Sequence, residues 1–419
     1  MPSREALERQ VVLFSLNDLP IFLKYIKFLE PKHFSNSIYG EIYKAQKEYY
    51  MQELVLHDKK YLIDTFKEKH KESTIINNLD TEQPAVASKK HILGEIFKIA
   101  KKRKVLEGLT SSLDLAEEDD FEVGDIEKII RESLAISYDT NLGMSIFDFE
   151  KRIVRLKKLR DEAVKSFSNN LNNITSGGFY PGELYVYMAP PGVGKSMFLL
   201  QEANGSLRNN KKVVYISFEL SEIRLGLRFD SLIGQMKTKD IFENKQAISD
   251  KYTRIRKACP NGEIIIKEFP TKGASPLDIN IFLDQLRIYE DFVPDVIIVD
   301  YGDIVASATT KQNDYQEQGE VFQLLRRIAI ERQVPVLTAT QSTRSMLEKK
   351  IDDVNLGQVS DSFMIPRIAD GLYALCQTPT QREEGVMYLK SLKNRNGPVN
   401  FYCKYVVDYE KMYIRDTEN

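Results

Sequence analysis

The stretch APPGVGKS, from Ala189 to Ser196, has the residue types and the spacing of a phosphate-binding loop. It fits the pattern G-x-x-x-x-G-K-[ST], with Ala189 in place of the first glycine. The backbone N–H groups of such a loop can surround phosphate oxygens, and the helix that follows adds the positive end of its dipole. In this pattern Lys195 reaches the β- and γ-phosphates and Ser196 ligates Mg²⁺. The residues predicted to contact ATP are Ala189, Pro190, Pro191, Gly192, Val193, Gly194, Lys195, Ser196 and Met197.

Three polar side chains follow short apolar runs that are typical of buried strands. Asp300 ends DVIIVD, and a carboxylate there is placed to ligate the same Mg²⁺ as Ser196. Glu219 ends KVVYISFE, where it can orient or deprotonate the attacking water, or can be an ordinary acid at the start of the next helix. Gln341 ends VPVLTATQ, where its amide can sense the γ-phosphate or be an ordinary strand-end residue. We therefore predict catalytic roles for Lys195, Glu219 and Gln341.

The stretch SLKNRNGP, from Ser391 to Pro398, predicts the tip of a β-hairpin. Asn396 and Gly397 lie between two β-rich runs, and both can adopt the positive φ of a tight turn. Since residues two apart in a strand point the same way, Lys393 and Arg395 are expected side by side. A hairpin tip is a poor place for cations to meet the phosphate loop of their own chain, but a good place to cross into a neighbouring subunit. The alternative is a solvated tip.

The elements that must position these residues fall into three regions. From 170 to 419, β-rich runs alternate with helical stretches, which predicts an α/β domain on a largely parallel sheet. Residues 1–137 have apolar residues at three-to-four spacing and predict an all-α domain. Residues 138–169 are predicted to link the two through an amphipathic helix.

The predicted linker helix carries an apolar stripe that needs a partner surface. The helix packs this stripe either on its own C-terminal domain or on a neighbouring subunit. The stripe consists of Ile146, Phe149, Ile153, Leu156 and Leu159.

The composition limits the classes of function. Lys and Arg number 59 against 61 Asp and Glu, so the net charge is −2 and any nucleic-acid binding has to be local. The three cysteines are scattered, which argues against a zinc ribbon or a disulfide framework and fits a reducing cytoplasm. The polar N-terminus is unlike a signal peptide, and no apolar run approaches a membrane span. We expect a soluble cytoplasmic protein with no membrane partner.

Taken in order, the motifs of 170–419 resemble the RecA-like motor domain of DnaB-type replicative helicases, in particular the stand-alone replicative helicases of large tailed phages. Residues 1–137 resemble the helical N-terminal domain of that family more loosely. The resemblance implies a homo-hexameric ring that moves 5′→3′ on single-stranded DNA, with a separate primase and helicase loader. It also implies the cytoplasm of the host if the protein is phage-encoded.

The resemblance also implies roles for single residues. Glu219 matches the family's catalytic carboxylate and Gln341 its sensor, while Arg228 matches an arginine that lines the nucleotide site. Lys393 and Arg395 match paired basic residues that one subunit extends into the next subunit's ATP site, where a cation stabilises the transition state.

Two polar, turn-rich stretches, 306–319 and 347–363, are the candidate DNA-contacting loops. Where the family carries an Arg-Glu-Ser-Gly stretch, this chain has SDSF, so the basic member is missing. The DNA contacts are therefore predicted to come from Lys349, Lys350, Asp361 and Ser362, together with backbone N–H groups.

These patterns predict a RecA-like P-loop motor, preceded by an all-α domain and a linker helix, that unwinds DNA with ATP. A RecA-like strand-exchange recombinase is an alternative, and unwinding of a forked duplex against homologous strand invasion discriminates the two. A second alternative is an ATP switch or loading scaffold, which single-strand-stimulated multiple turnover of ATP would exclude.

Overall fold

The computed structural model describes residues 4–26, 29–70, 73–82, 84, 89–117, 123–134, 144–307, 314–343, 346–347, 351–358 and 364–417. The contacts of the chain divide it into two compact units, Met1–Ser145 and Ile146–Asn419. Among the described helices, none is long and apolar enough to cross a membrane.

The described part of the first unit is helical. Its helices are α1 (Arg4–Asn17), α2 (Leu19–Tyr25), α3 (Ser37–Glu53), α4 (Lys59–Lys69), α5 (Thr74–Thr81), α6 (Lys89–Ala116) and α7 (Val123–Leu134). Short polar side chains begin several of them: Asp18 accepts a hydrogen bond from the Ile21 N–H, and Asp58 accepts one from the Tyr61 N–H. Such caps satisfy N–H groups that have no partner within the helix.

Apolar side chains of α1 to α5 meet in one core that includes the fully buried Phe14, Phe22, Tyr25 and Tyr43. The two tyrosines keep their hydroxyls satisfied inside this core, since Tyr25 donates to the Val11 carbonyl and Tyr43 to the Leu29 carbonyl. A buried tyrosine needs such a partner.

The second unit begins with α8 (Phe149–Glu162), which has no buried residue. Of its apolar residues, Phe149 is 57% exposed and Leu156 is 52% exposed, whereas Ile153 and Leu159 are half-buried. The preceding Ile146 and Phe147 are also exposed. Among the described residues of the second unit, none buries a residue of the predicted apolar stripe that lies on α8.

Beyond α8, the described residues form a sheet of nine strands in the order β3-β2-β4-β5-β1-β6-β7-β8-β9. Strands β1 to β6 are parallel to one another, whereas β7, β8 and β9 are added beside β6 as antiparallel strands. The strands are β1 (Leu184–Ala189), β2 (Lys212–Ser217), β3 (Glu263–Glu268), β4 (Val296–Asp300), β5 (Val336–Gln341), β6 (Gly371–Cys376), β7 (Val386–Asn394), β8 (Tyr402–Asp408) and β9 (Tyr413–Asp416).

Helices cover both faces of this sheet, which is why most residues of its central strands are buried and many are apolar. On β1, Tyr185 and Tyr187 pack with the first face, and Leu184 and Val186 with the second. The helices of the unit are α9 (Asn169–Ile174), α10 (Lys195–Arg208), α11 (Glu222–Gly234), α12 (Lys245–Ala258), α13 (Pro276–Tyr289), α14 (Asp314–Arg332), α15 (Met364–Ile368) and α16 (Pro379–Glu383). Helices α10 and α11 pack on the first face, and α13 and α14 on the second.

Since β1, β2, β4 and β5 are parallel, their carboxyl ends meet at one edge of the sheet. Ala189, Ser217, Asp300 and Gln341 are the last residues of these strands. Functional residues of open α/β sheets gather at this edge.

The loop of the β7–β8 hairpin lies at the opposite end of the parallel strands. Strand β7 runs antiparallel to β6, so the last residue of β7 lies beside the first residue of β6. The pairing of Asn394 with Gly371 marks this position. The predicted hairpin is present, but the predicted tight turn is wrong. Residues 395–401 separate the two strands, and the positive φ within them belongs to Asn400 rather than to Asn396 or Gly397.

Contacts with a neighbouring segment explain this wider loop. The Asn396 carbonyl accepts a hydrogen bond from the Ser176 hydroxyl, and its side chain donates to Glu183. A Cβ on Gly397 would lie 1.8 Å from the Ile174 carbonyl oxygen. Glycine is therefore required here for a close approach of two backbones, not for a left-handed turn.

Candidate nucleotide-binding site

The phosphate-binding loop joins β1 to α10. Two of its glycines have left-handed backbone angles, with φ of 81° at Gly192 and 118° at Gly194. Glycine adopts such angles without the steric penalty that a Cβ would bring. The Gly194 carbonyl then accepts the first bond of α10, from the Phe198 N–H. The loop thus ends at a 14-residue helix whose N-terminal N–H groups are available for an anion.

Lys195 is buried at the base of this loop. Its Nζ lies 3.3 Å from the Ala189 carbonyl oxygen and 5.4 Å from the centre of the Tyr301 ring. Burial lowers the pKa of Lys195, and the carboxylates of Asp303, Asp300 and Glu219 oppose that shift. Because Lys195 is buried, its ammonium group has lost much of its hydration, and the nearby carboxylates help to keep it charged and able to bind a phosphate.

Ser196 and Asp300 meet directly beneath the loop. The Ser196 hydroxyl donates a 3.0 Å hydrogen bond to Oδ1 of Asp300, and the Tyr215 hydroxyl donates one of 2.8 Å to Oδ2. Burial raises the pKa of Asp300 to about 6, although these two hydrogen bonds act in the opposite direction. A hydroxyl and a carboxylate at this distance are oxygen ligands of the kind that Mg²⁺ takes.

The donor set fits Mg²⁺ in the way such loops hold it, with few protein ligands and the remaining positions left to phosphate and water. Within the described residues no group of three or more His, Cys, Asp or Glu could hold a metal alone. A metal here would depend on the nucleotide.

Glu219 and Arg228 lie close to the same centre. Glu219 follows β2, is exposed, and acts through its charge on both Lys195 and Asp300. Arg228, on α11, lowers the pKa of Asp300 by its positive charge. Lys195 and Asp300 are 105 residues apart in the chain, yet the structure brings both of them together with Ser196 at this centre.

Gln341 reaches this centre from the end of β5. Its Nε2 donates a 2.8 Å hydrogen bond to the Tyr301 hydroxyl, whose ring lies beside Lys195. A shift of the amide towards a phosphate would therefore be felt by the residue that follows Asp300. Met197, by contrast, has its side chain in the apolar core, so only its backbone N–H can face a nucleotide.

Sequence reasoning missed Asp303. This half-buried carboxylate lies near Lys195 and accepts hydrogen bonds from the Thr340 hydroxyl at 2.8 Å and the Gln341 N–H at 2.7 Å. Burial raises the pKa of Asp303 to about 6. The Asp303 carboxylate thus fixes the backbone of Gln341, the predicted sensor. The signal that could have identified Asp303 in the sequence is its place as the second acid of DYGD, three residues after Asp300.

Sequence reasoning also missed Arg382 and Tyr409, which lie next to the antiparallel strands β7 and β8 and contact the phosphate-binding loop. Arg382 donates a 2.6 Å hydrogen bond to the Gly192 carbonyl, and Tyr409 donates one of 3.2 Å to the Val193 carbonyl. The guanidinium lies 4.4 Å from the centre of the Tyr409 ring. No local pattern marks either residue, because the fold of the β7–β8 hairpin brings them here.

Lys393 and Arg395 are not part of this centre in their own chain. Arg395 binds Asp370, whose side chain also accepts the N–H of Leu184, the first residue of β1. The phosphate loop follows the last residue of that strand. Six residues of strand span roughly 17 Å at about 3.3 Å per residue. Lys393 lies nearby and donates to the Pro366 and Arg367 carbonyls.

The four predicted DNA contacts lie outside the described residues. They are Lys349, Lys350, Asp361 and Ser362. The candidate loops 306–319 and 347–363 are described only in part.

Two relatives are similar to this chain over more than half of its length. The DnaB-like replicative helicase of Enterobacteria phage T4 is 30% identical over 298 residues, covering 69% of this chain and 62% of that one. The replicative DNA helicase DnaB of Geobacillus stearothermophilus is 26% identical over 250 residues, covering 58% and 54%. The chain therefore spans less than two thirds of the length of these curated relatives.

Solved structures share the fold. A DnaB-like replicative helicase, studied with its primase interactions, matches 98% of this chain with a TM-score of 0.60 at 17% identity, over 99% of its own length. The ATPase domain of G40P matches 66% of this chain, and 100% of its own, with a TM-score of 0.56 at 18% identity. These matches confirm the predicted RecA-like α/β domain preceded by a helical region.

The family comparison covers most of the second unit. Residues 163–415, more than half of the chain, match the family described as the DnaB-like helicase C terminal domain. The predicted resemblance to DnaB-type replicative helicases is thereby confirmed, and the chain belongs to the DnaB-like helicase family.

Proposed function

We propose that this protein is an ATP-driven, ring-forming replicative helicase that moves 5′→3′ on single-stranded DNA and unwinds duplex at the fork. Nucleotide binding follows from the family to which the chain belongs. The observation that carries the proposal is the pairing of Ser196 with Asp300 beside Lys195, at the mouth of a phosphate-binding loop.

Unwinding of a forked duplex tests the function. The full chain should separate the strands when ATP and Mg²⁺ are both present. The Lys195→Ala variant should be inactive, and the unaltered protein should be inactive without Mg²⁺. Strand invasion into homologous duplex without fork unwinding would instead favour a recombinase. ATP binding without multiple turnover would favour a loading scaffold.

The residues of the site have separable roles in this proposal. Mg²⁺ would be held by Ser196 and Asp300 and would neutralise charge on the β- and γ-phosphates when bound. Lys195 binds the γ-phosphate as a point charge, and Glu219 orients and deprotonates the water that attacks it. Gln341 reports the presence of the γ-phosphate to Tyr301 and to the strand that carries Asp300.

Lys393 and Arg395 are proposed to act on the neighbouring subunit. Their position at the far edge of the sheet favours a role outside their own phosphate loop. A cation that arrives from the next subunit stabilises negative charge in the transition state and makes hydrolysis depend on the neighbour's position.

The proposed partners are single-stranded DNA, five further copies of this chain in a hexamer, a separate primase and a helicase loader. In this arrangement residues 1–137 form a collar, 138–169 the linker and 170–419 the motor. Since the proposed role is in DNA replication, the proposed location is the cytoplasm, which is that of the host if the protein is phage-encoded.

Single-strand binding is expected to weaken steeply with salt. The net charge of −2 leaves binding to local Lys and N–H contacts with phosphates, and each neutralised phosphate contributes a slope of roughly −0.7 in a plot of log affinity against log salt. Fluorescence anisotropy with a labelled oligonucleotide measures this slope. Lys349→Ala together with Lys350→Ala should make it shallower by about 1 to 2, nearly equally for every base sequence. A strong preference for one sequence would contradict a translocating motor.

The apolar stripe of α8 is proposed to dock on a second copy of the chain, because α8 has no buried residue and both Phe149 and Leu156 are more than half exposed. Changing Ile153 and Leu156 to Asp should put two charges into that interface, at a cost on the order of several kcal/mol. Sedimentation velocity should then show monomers or small oligomers.

The matched control changes Arg155 and Lys158 on the polar side of α8 to Asp, and its rings should persist. The thermal unfolding of both double variants should match that of the unaltered protein. Intact rings from the Ile153 and Leu156 variant would show that α8 does not join the subunits.

A further inference from the structure

A buried carboxylate holds Arg395 at the edge of the sheet opposite the phosphate loop. Asp370 is 1% exposed and lies between β6 and the helix before it. Its Oδ1 accepts a 2.8 Å bond from NH1 of Arg395, whose side chain is 50% exposed. The Arg395 N–H also donates to the Asp370 carbonyl oxygen at 3.1 Å. Both the backbone and the guanidinium of Arg395 are thus fixed on a single residue.

A second arginine completes this cluster. Arg326, on α14, donates from Nε to Oδ2 of Asp370 at 3.0 Å and from NH2 to Oδ1 at 3.2 Å. Two guanidinium groups therefore share one carboxylate, and the cluster keeps a net positive charge. Because the fork of Arg326 already neutralises Asp370, Arg395 is oriented by the carboxylate without having its own charge cancelled.

The open side of the cluster is a cationic cavity of about 370 Å³. Its polar lining is mostly arginine. The lining residues are Gln323, Arg326, Arg327, Ile330, Glu331, Arg367, Ile368 and Arg395. An arginine has five N–H donors, and in the described part of the chain the ion pair between Arg395 and Asp370 uses only NH1. Because the side chain of Arg395 is half exposed and lines this cavity, its remaining N–H donors can reach a phosphate that enters the cavity.

We propose that Asp370 is a positioning residue for the trans-acting Arg395, and that Arg326 holds Asp370 for that purpose. The inference rests on the proposed role of Arg395 in the neighbour's site. A free arginine side chain loses considerable rotamer freedom when it engages a phosphate. Asp370 removes part of that freedom in advance, so that the guanidinium meets the neighbour's γ-phosphate already aligned.

Asp370 also has a purely structural contact, since its Oδ2 accepts the Leu184 N–H that starts β1. A loss of activity in a variant could therefore come from a damaged sheet. The test must separate these two roles by asking whether Asp370 matters when Arg395 is absent.

The experiment is a double-mutant cycle on single-strand-stimulated ATP hydrolysis by the full chain. Asp370→Asn should lower kcat by roughly 10²-fold, because misplacing a catalytic group by about 1 Å costs that much. Its affinity for a fluorescent ATP analogue should not change, because its own phosphate loop lies at the other edge. In the Arg395→Ala background, Asp370→Asn should cause no further loss. An equal loss in both backgrounds would show that Asp370 is structural and overturn the proposal.

A second variant keeps the test decisive if Asp370→Asn fails to fold. Arg326→Gln leaves Asp370 and the Leu184 contact in place, and it should lower kcat several-fold in the presence of Arg395 but not in its absence. Arg332→Gln is the matched control. Arg332 also lies on α14 and also bridges to a carboxylate, Asp284, but away from Arg395. Its kcat should stay at the unaltered level.

The two proposals fail in different ways. If Arg395→Ala hydrolyses ATP at the normal rate, the trans role of Arg395 is wrong and Asp370 has nothing to position. If Arg395→Ala is inactive while Asp370→Asn and Arg326→Gln both fold and keep full activity, only the inference about Asp370 is wrong.

Discussion

Two inactive variants of this protein are expected to regain ATP hydrolysis when they are mixed. The first carries Lys195→Ala and has a defective phosphate loop but intact cations at the hairpin. The second carries Lys393→Ala and Arg395→Ala and has an intact loop without those cations. In a mixed ring, some subunits with an intact loop lie next to subunits with an intact hairpin. Such a cation contributes roughly 10³ to 10⁵ in rate, so even a few completed sites should rise well above the background.

This expectation follows from the positions of the two groups in the sheet. Lys195 lies at the carboxyl end of β1, whereas Arg395 binds Asp370 beside the first residue of that strand. One chain cannot bring them together without dismantling the sheet between them. The measurement is steady-state phosphate release against mixing ratio, with energy transfer between labelled subunits to prove exchange.

A triple variant provides the control. A chain with Lys195→Ala, Lys393→Ala and Arg395→Ala, mixed with the chain that lacks only the two cations, can complete no site and should stay inactive. If exchange is proven and the mixture of the two complementary variants also stays inactive, the hairpin does not complete its neighbour's site.

The second large effect is expected at Glu219. Glu219→Gln keeps the size and polarity of the side chain but removes the base that activates water, which contributes typically 10² to 10⁴ in rate. ATP should still bind, since Lys195, Ser196 and the loop are unaltered, and the variant should hold unhydrolysed ATP in its rings. Single-turnover hydrolysis and nucleotide affinity, measured on the same preparation, separate the two effects.

Glu222→Gln is the matched control for this substitution. Glu222 lies three residues further on, at the start of α11, where its carboxylate accepts the Glu268 N–H at the surface. Its loss should leave hydrolysis near normal. Near-normal turnover by Glu219→Gln would instead mean that another group activates the water, and Asp303, half-buried near Lys195, would be the next candidate.

The sequence predicted the centre of the site well because its information is local. Lys195 and Ser196 belong to a contiguous motif, and Asp300, Glu219 and Gln341 each follow an apolar run that had to be a buried strand. A parallel sheet brings the carboxyl ends of such strands together whatever their order, so the convergence could be predicted without the topology.

The remaining parts depend on contacts between distant segments. Arg382 and Tyr409 reach the loop only because β7 and β8 are added antiparallel to β6, and Asp370 meets Arg326 across 44 residues. The hairpin was predicted but its turn was not. Asn396 and Gly397 satisfy a local rule for tight turns, yet the backbone of Ile174 approaches so closely that the loop takes another form.

Because Lys195 and Arg395 lie at opposite ends of β1, only some modes of association between subunits are possible. If each chain offers Arg395 at one edge of its sheet and receives its neighbour's at the other, the contact joins two unlike surfaces, and no two-fold axis can relate the partners. Such a heterologous contact has no natural end: it closes into a ring if the rotation per subunit divides a full turn, and otherwise grows as a helix. Each subunit then belongs to two active sites at once. A single chain that has lost both Lys195 and Arg395 would silence two sites rather than one, which would make such a chain a dominant inhibitor at low stoichiometry.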